Sequence, residues 1–290
     1  MEFTYLQNGG ETMKKVKHEL RTAGSCKQIE KITNTKKPLR SVFFPAHFSI
    51  IVHPDHGLIL VDTGYAEHFD NAAKKFPYSL YKKVTPITFA QEDSAKAQLE
   101  REGFSCEDVA YIIITHFHAD HIAGLKDFPN AKFICIKKAY NHIDGKSGWK
   151  ALMSGFLPDL MPSDFRERVQ FIDENYVPGN NANELDRFGT IYDIFSDQSI
   201  YAVELPGHAC GQIGLFFETE GQKRFLIADA AWDSDAYRYH QPASPLAGLI
   251  LDSFSSFQTT LEKLHHFHKD HPDVQMIPSH CREFTGGESK

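Results

Sequence analysis

Long apolar runs are missing from this chain of 290 residues. The longest, such as residues 48–52 and 112–114, are strand-sized and well short of the ~20 residues a membrane-spanning helix needs. The start, MEFTYLQNGGETMKK, lacks the apolar stretch of a secretory signal, and Met1 and Met13 both stand as candidate first residues. Cysteine is sparse and scattered. Cys26, Cys106, Cys135, Cys210 and Cys281 form an odd set with no CxxC pair, which excludes a disulfide framework and points to reduced thiols in a cytoplasmic protein. Excess positive charge is also absent. A net charge of −7 and a pI of about 6.1 leave out duplex nucleic acid as a partner, because phosphate binding needs a concentrated basic surface. No low-complexity linker or short-period repeat divides the chain, so one domain is expected over residues 1–290.

What is present is an ordinary globular mixture, 41% hydrophobic and 24% charged, able to bury a full core. Residues 1–40 are polar, basic and weakly patterned. SVFFPAHFSIIV and LILVDTG then read as a buried hairpin, joined by HPDHG, where Pro54, Asp55 and Gly57 supply turn chemistry and His53 and His56 are expected to be exposed. Residues 66–103 look mainly helical and stop at Gly103. DVAYIIIT is a buried strand running into HFHADHIAGL, a loop leading to a short helix, and the strand AKFICI follows. Residues 138–198 read as an excursion from the core, a candidate lid or homodimer contact carrying Trp149, Phe156, Leu157 and Met161. Strands return at SIYAVEL, QIGLFFET and KRFLIAD, with a helix at about 253–269. This alternation indicates a layered α/β fold.

The chemistry concentrates in THFHADH, residues 115–121. Imidazole and carboxylate hold Zn²⁺ and similar first-row ions at neutral pH. Beyond the strand end, His116 and His118 can face one ion, while Asp120 and His121 reach a second beside it. Four groups from one loop cannot close two sites. His208 in ELPGHACG, Asp229 at the end of RFLIAD and His280 in MIPSH each follow a strand, where a side chain is delivered to the sheet edge. Asp229 is the candidate bridging carboxylate. The histidines at 265, 266, 268 and 271 lie on a polar helix end and read as a solvated face. His47, inside an apolar strand, reads as a core residue. Cys210, two residues after His208, reads as a buried, inert thiol, since nothing nearby lowers its pKa.

THFHADH, VDTG at 61–64, LPGHACG at 205–211, LIADA at 226–230 and PSH at 278–280 resemble, in order and separation, the five signature regions of the metallo-β-lactamase superfamily. The presence of both Asp120 and His121 is similar to its two-metal branch, which includes acyl-homoserine lactonases and glyoxalase II-type thioesterases. The resemblance implies a four-layered αβ/βα sandwich with the site on one edge, and makes Asp62 a carboxylate that orients a ligand. It implies two divalent ions, most simply Zn²⁺ with Fe, Mn or Co as alternatives. His116, His118 and His208 would hold one ion and Asp120, His121 and His280 the other, with Asp229 shared. A hydroxide bridging the ions would attack a lactone or related ester of a small molecule, and Asp120 could pass a proton to the leaving group. Thioester hydrolysis is the alternative. Flavodiiron-type members carry an acidic ligand where this chain has Ala119, and RNA-processing members usually carry basic surfaces and added arms. A metal-binding sensor without turnover is the remaining reading, disfavoured by a complete ligand set. One feature departs from the lactonases. Many carry a Tyr three residues after the bridging Asp, where this chain has Trp232, which has one N–H donor and no exchangeable phenol proton. Trp232, with Tyr237 or Tyr239 from the next loop, is therefore the candidate substrate contact.

Overall fold

A computed structural model describes residues 13–173 and 182–285. Residues 174–181 of the expected excursion, and Met1, lie outside the described residues. Two mixed sheets face each other. The first runs β4-β1-β2-β3-β5-β6-β7, with β1 Lys17–Ile29, β2 Ser41–His53, β3 Gly57–Val61, β4 Ile87–Thr88, β5 Val109–Ile113, β6 Lys132–Cys135 and β7 Val169–Phe171. The second runs β12-β11-β10-β9-β8, with β8 Ile191–Asp193, β9 Ile200–Glu204, β10 Ile213–Glu218, β11 Lys223–Ala228 and β12 Gln275–Pro278.

Period-two alternation sorts side chains between layers. Ile200 and Ala202 of β9, with Leu215 and Phe217 of β10, point into the core shared with the first sheet. Tyr201, Val203 and Phe216 point the other way, under Leu261, Leu264 and Phe267 of the helix Phe254–Asp270. That helix starts at Ser253, whose hydroxyl accepts from the N–H of Ser256. Helical segments carrying Phe69, Leu99 and Ile122 cover the first sheet, completing the αβ/βα sandwich. No helix among the described residues is long and apolar enough to cross a membrane.

Three local expectations are corrected. The weakly patterned stretch before residue 40 contains β1, which pairs antiparallel with β2 through eleven residue pairs and a bulge between Thr22 and Ser25. Long-range pairing supplies the order that its mixed burial pattern conceals. Residues 66–103 form three short helices, His68–Ala72, Ser79–Val84 and Ala95–Arg101, with β4 between the last two. His53 is buried at the hairpin turn, where its Nδ1 accepts from the backbone N–H of Asp55 and of His56, and His56 stacks on Phe195. His47 is buried as expected, with its ring between the Thr22 hydroxyl and the Cys281 carbonyl. The excursion is not wholly outside the core either, since β7 joins the first sheet, β8 joins the second, and Phe156 and Leu157 are buried.

Candidate metal centre

The C-terminal ends of four strands converge on one edge of the sandwich. β3 delivers Asp62, β5 delivers the loop 114–118 and the short helix Ala119–Ile122, β11 delivers Asp229, and β12 delivers His280. The turn after β9 adds His208. Two non-glycine residues here adopt left-handed backbone, Asp62 at φ 57° and Ala228 at φ 46°. Such strain persists where surrounding contacts fix it and concentrates at functional sites. At Asp62 the N–H donates to the Ile113 carbonyl, and at the other strand end the N–H of Ser279 donates to the Ala228 carbonyl.

All seven predicted ligands meet. His116, His118 and His208 form one group with ligand atoms within 4.8 Å of one another, and Asp120, His121 and His280 form another. His116, His121 and Asp229 make a third that joins the two. Asp229 Oδ2 lies 3.2 Å from His208 Nε2 and 3.1 Å from His280 Nε2, while Oδ1 is 3.5 Å from His121 Nε2. Asp120 Oδ2 lies 3.4 Å from His280 Nε2.

Three of the rings, His116, His121 and His280, are tied down on the outer face by Nδ1 and turn Nε2 inward, whereas buried His208 Nδ1 has no partner among the described residues. Asp62 Oδ1 accepts from the Thr115 N–H, and Oδ2 accepts from both the Thr115 hydroxyl and His121 Nδ1, each at 2.8 Å. The Thr115 hydroxyl also meets His116 Nδ1 at 3.1 Å, and His280 Nδ1 donates to the Pro45 carbonyl. His118 is turned the other way, with Nδ1 2.8 Å from His208 Nε2. Its far side rests on Gly155, where an added Cβ would come within 2.5 Å of the ring. Gly155 has φ +62°, and its carbonyl accepts from the Ala119 N–H.

The electrostatics suit a cation. Burial holds His116, His118 and His208 neutral, His118 down to about 4, and neighbouring imidazoles reinforce this at His116. Burial works against a proton on His121, yet Asp62, Asp229 and Asp120 raise its pKa to about 10. Burial likewise opposes ionisation of Asp229, but His280, His208 and His121 keep it well below the usual carboxylate range. Buried His116 Nε2, His121 Nε2 and Asp229 Oδ1 have no hydrogen-bond partner among the described residues. Leaving three such atoms unsatisfied is costly, and a pair of bound divalent ions would satisfy them. Five imidazoles and two carboxylates are a donor set for zinc-like ions.

Other predicted residues fall elsewhere. Trp232 is buried, and its Nε1 donates to Asp229 Oδ2 at 3.3 Å. Tyr237 does not reach the centre. It is buried under the second sheet and its hydroxyl donates to the Met276 carbonyl, because packing against the helix Phe254–Asp270 claims the ring. Tyr239 is exposed to solvent. A cleft of about 220 Å³ opens beside His118 and His208, with a mixed lining of Phe117, Ile143 and Leu251 alongside His142, Ser154 and Asp252. Cys210, half-buried rather than buried, also lines it, and burial followed by Asp252 pushes its thiol pKa up. Trp149 is exposed and packs edge-on against Phe76. Sequence reasoning missed Thr115, whose place ahead of His116 is a readable signal, and Gly155, for which no local signal exists. Of the histidines at 265, 266, 268 and 271, expected to form a solvated face, only His266 is exposed; the other three are half-buried, and His265 Nδ1 donates to the Tyr237 carbonyl. A second His–Asp group, His53, His56 and Asp197, includes the Lys14 ammonium 2.9 Å from Asp197. Since His53 Nδ1 accepts two N–H groups, its Nε2 keeps the proton and suits Asp197 better than a cation.

Known proteins resemble this chain in sequence and in fold. A probable metallo-hydrolase of Mycobacterium tuberculosis is 38% identical over 82 residues, which is 28% of this chain and 26% of that protein. The chain thus matches about a quarter of the length of that relative and of its Mycobacterium bovis counterpart. The N-acyl homoserine lactonase AttM of Rhizobium radiobacter is 25% identical over 240 residues, 81% of each chain. Among solved structures, a Bacillus thuringiensis AiiA variant with N-decanoyl-L-homoserine bound at the active site superposes with a TM-score of 0.70 at 20% identity, covering 94% of this chain and 95% of that one. AidC, a dizinc quorum-quenching lactonase, gives a TM-score of 0.64 at 15% identity over 96% and 91%. The sequence profile of the metallo-beta-lactamase superfamily matches residues 43–280, a span that runs from β2 to the last of the converging histidines, and the chain belongs to that superfamily of hydrolases.

Proposed function

We propose that this chain is a single-domain dinuclear metal hydrolase that opens a lactone or related ester of a small molecule. The observation that carries the reading is the pair of ligand groups joined by Asp229, with no ligand missing. His116, His118 and His208 would hold one ion, Asp120, His121 and His280 the other, and Asp229 would be shared. Two divalent ions, zinc by donor chemistry, would activate water near neutral pH and polarise a carbonyl.

The protein's own groups supply the rest. Asp62 orients His116 and His121 through Thr115 and directly. Asp120 keeps a side-chain exposure of 11% and faces His280, so at the mouth of the centre it can take the proton given up by the attacking water and hand it to a departing oxygen. An alkoxide needs that proton more than a thiolate does. The cleft beside His118 and His208, with Phe117, Ile143 and Leu251 in its wall, would take an acyl chain. The lactonases among the relatives, aligned over four-fifths of both chains, favour a lactone over a thioester.

Metal content and hydrolysis measured together on fresh protein test this. Two equivalents of metal with turnover of acyl-homoserine or simple γ-lactones is the expected result. Two equivalents with turnover of glutathione or acyl thioesters alone would replace the substrate and keep the centre. Protein that takes up no divalent ion would overturn the reading.

A further inference from the structure

Trp232 stands where a side chain could either touch substrate or support the centre, and the contacts separate the two. After Asp229 the chain turns tightly, with the Ala230 N–H donating to the Ile227 carbonyl, and folds Trp232 back against the carboxylate. The indole is 5% exposed. One face lies on Phe257, with centroids 5.1 Å apart, and its edge meets the His208 ring at 5.6 Å. Phe257 is itself fixed. Gly207, at φ +129°, lies so close to the backbone of Phe257 that a Cβ would fall 2.2 Å from its nitrogen. The loop carrying His208, the start of the long helix and the indole therefore form one packed unit.

Indole nitrogen offers one donor and no acceptor. Its N–H is spent on Asp229 Oδ2, the oxygen that also faces His208 and His280. Trp232 does not line the cleft at His118 and His208. It borders a separate hollow with His280 and Cys281. We infer that Trp232 is a positioning residue for the shared carboxylate, not a substrate contact. The terminal torsion of an aspartate is soft and two-fold. A single N–H held by ring packing selects one orientation, leaving Oδ1 toward His116 and His121. Outer partners of metal ligands change affinity or activity by about 10–100-fold when removed.

This inference rests on the metal-centre reading, and its test separates the two. Trp232→Phe keeps a ring on Phe257 and deletes the N–H. Replacing Trp232 by benzothienylalanine, which has sulfur in place of N–H, keeps the whole bicyclic shape, so a packing defect cannot mimic the effect. Zinc affinity is read by chelator competition, the ligand field by the visible spectrum of the cobalt-loaded protein, and kcat and KM on a turned-over lactone. Zinc affinity about 10–100-fold weaker in both variants, an altered cobalt spectrum and a lowered kcat at unchanged KM is the expected pattern. Wild-type zinc affinity and spectrum with a raised KM would make Trp232 a substrate contact and overturn the inference while keeping the centre. No change in any readout would overturn it equally. Wild-type protein that binds no zinc would overturn the centre itself, and the inference with it.

Discussion

Asp62→Asn is the substitution whose consequence the hydrogen bonds define most sharply. Asparagine tolerates the left-handed backbone of this position as aspartate does, so the turn is preserved. The Thr115 N–H can only donate, so the amide oxygen takes the place of Oδ1. The amide nitrogen then faces His121 Nδ1 and the Thr115 hydroxyl, both of which had been donating to Oδ2. His121 Nδ1 must now accept, which moves its proton to Nε2, the nitrogen directed at Asp120 and Asp229. The hydroxyl accepts as well, turns its own hydrogen to His116 Nδ1, and moves that ring's proton inward too. One exchange of oxygen for NH₂ thus blocks a ligand in each metal group. With two rings affected, zinc affinity should fall by about 100-fold, near the top of the range for such partners and equal to about 2.7 kcal/mol. Thr115→Val, which cuts only the relay to His116, should cost about tenfold. Chelator competition on metal-free protein, with circular dichroism to verify the fold, measures both. Wild-type affinity in Asp62→Asn would refute the tautomer argument.

Other outcomes follow from the same contacts. Gly155→Ala should displace His118 and add about 1–2 kcal/mol of backbone strain, lowering turnover more than the melting temperature alone explains, as kinetics and calorimetry on one preparation would show. His116→Ala and Asp229→Ala should lose metal and nearly all hydrolysis, whereas Cys210→Ala should keep both; elemental analysis beside a rate assay decides. Burial, then Arg224, holds His18 at about 3 when folded, against about 6.5 unfolded. Below pH 6.5 the unfolded chain takes the proton first, so this stabilisation is present above pH 6.5 and lost as pH falls. In urea unfolding of metal-free protein, the stability gap between wild type and His18→Asn should narrow by about 2 kcal/mol from pH 7 to pH 5, and a constant gap would contradict it.

The convergence of these seven side chains was legible because four of them sit within six consecutive residues, and the other three each follow a strand recognisable by its apolar run. The layers were legible for the same reason, as with DVAYIIIT and KRFLIAD. Contacts made at long range were not. β1 alternates irregularly because it is bent by a bulge and half-exposed, and its partner strand identifies it better than its own residues do. Tyr237 and Trp232 are five residues apart and both aromatic, and only the packing under the second sheet shows which one meets Asp229. His53 looked like a turn residue open to water, yet its ring caps the turn from inside. Gly155 touches a histidine 37 positions earlier, and a lone glycine in an irregular stretch announces nothing of the kind.

The division of ligands between the two sheets has a consequence for how the protein is made. His116, His118, Asp120 and His121 leave the ribosome together, but His208 follows about 90 residues later and His280 comes 164 residues after His116. Domains begin to fold from the N-terminus during synthesis, at about 5–20 residues per second. For several seconds the nascent chain would therefore carry half of each proposed ligand set, and neither proposed ion would find a full complement. Loading must wait for β12 to dock beside β11 and for the Pro45 carbonyl to capture His280. On the proposed function, bound metal would then be a record that synthesis and closure of the sandwich have both finished.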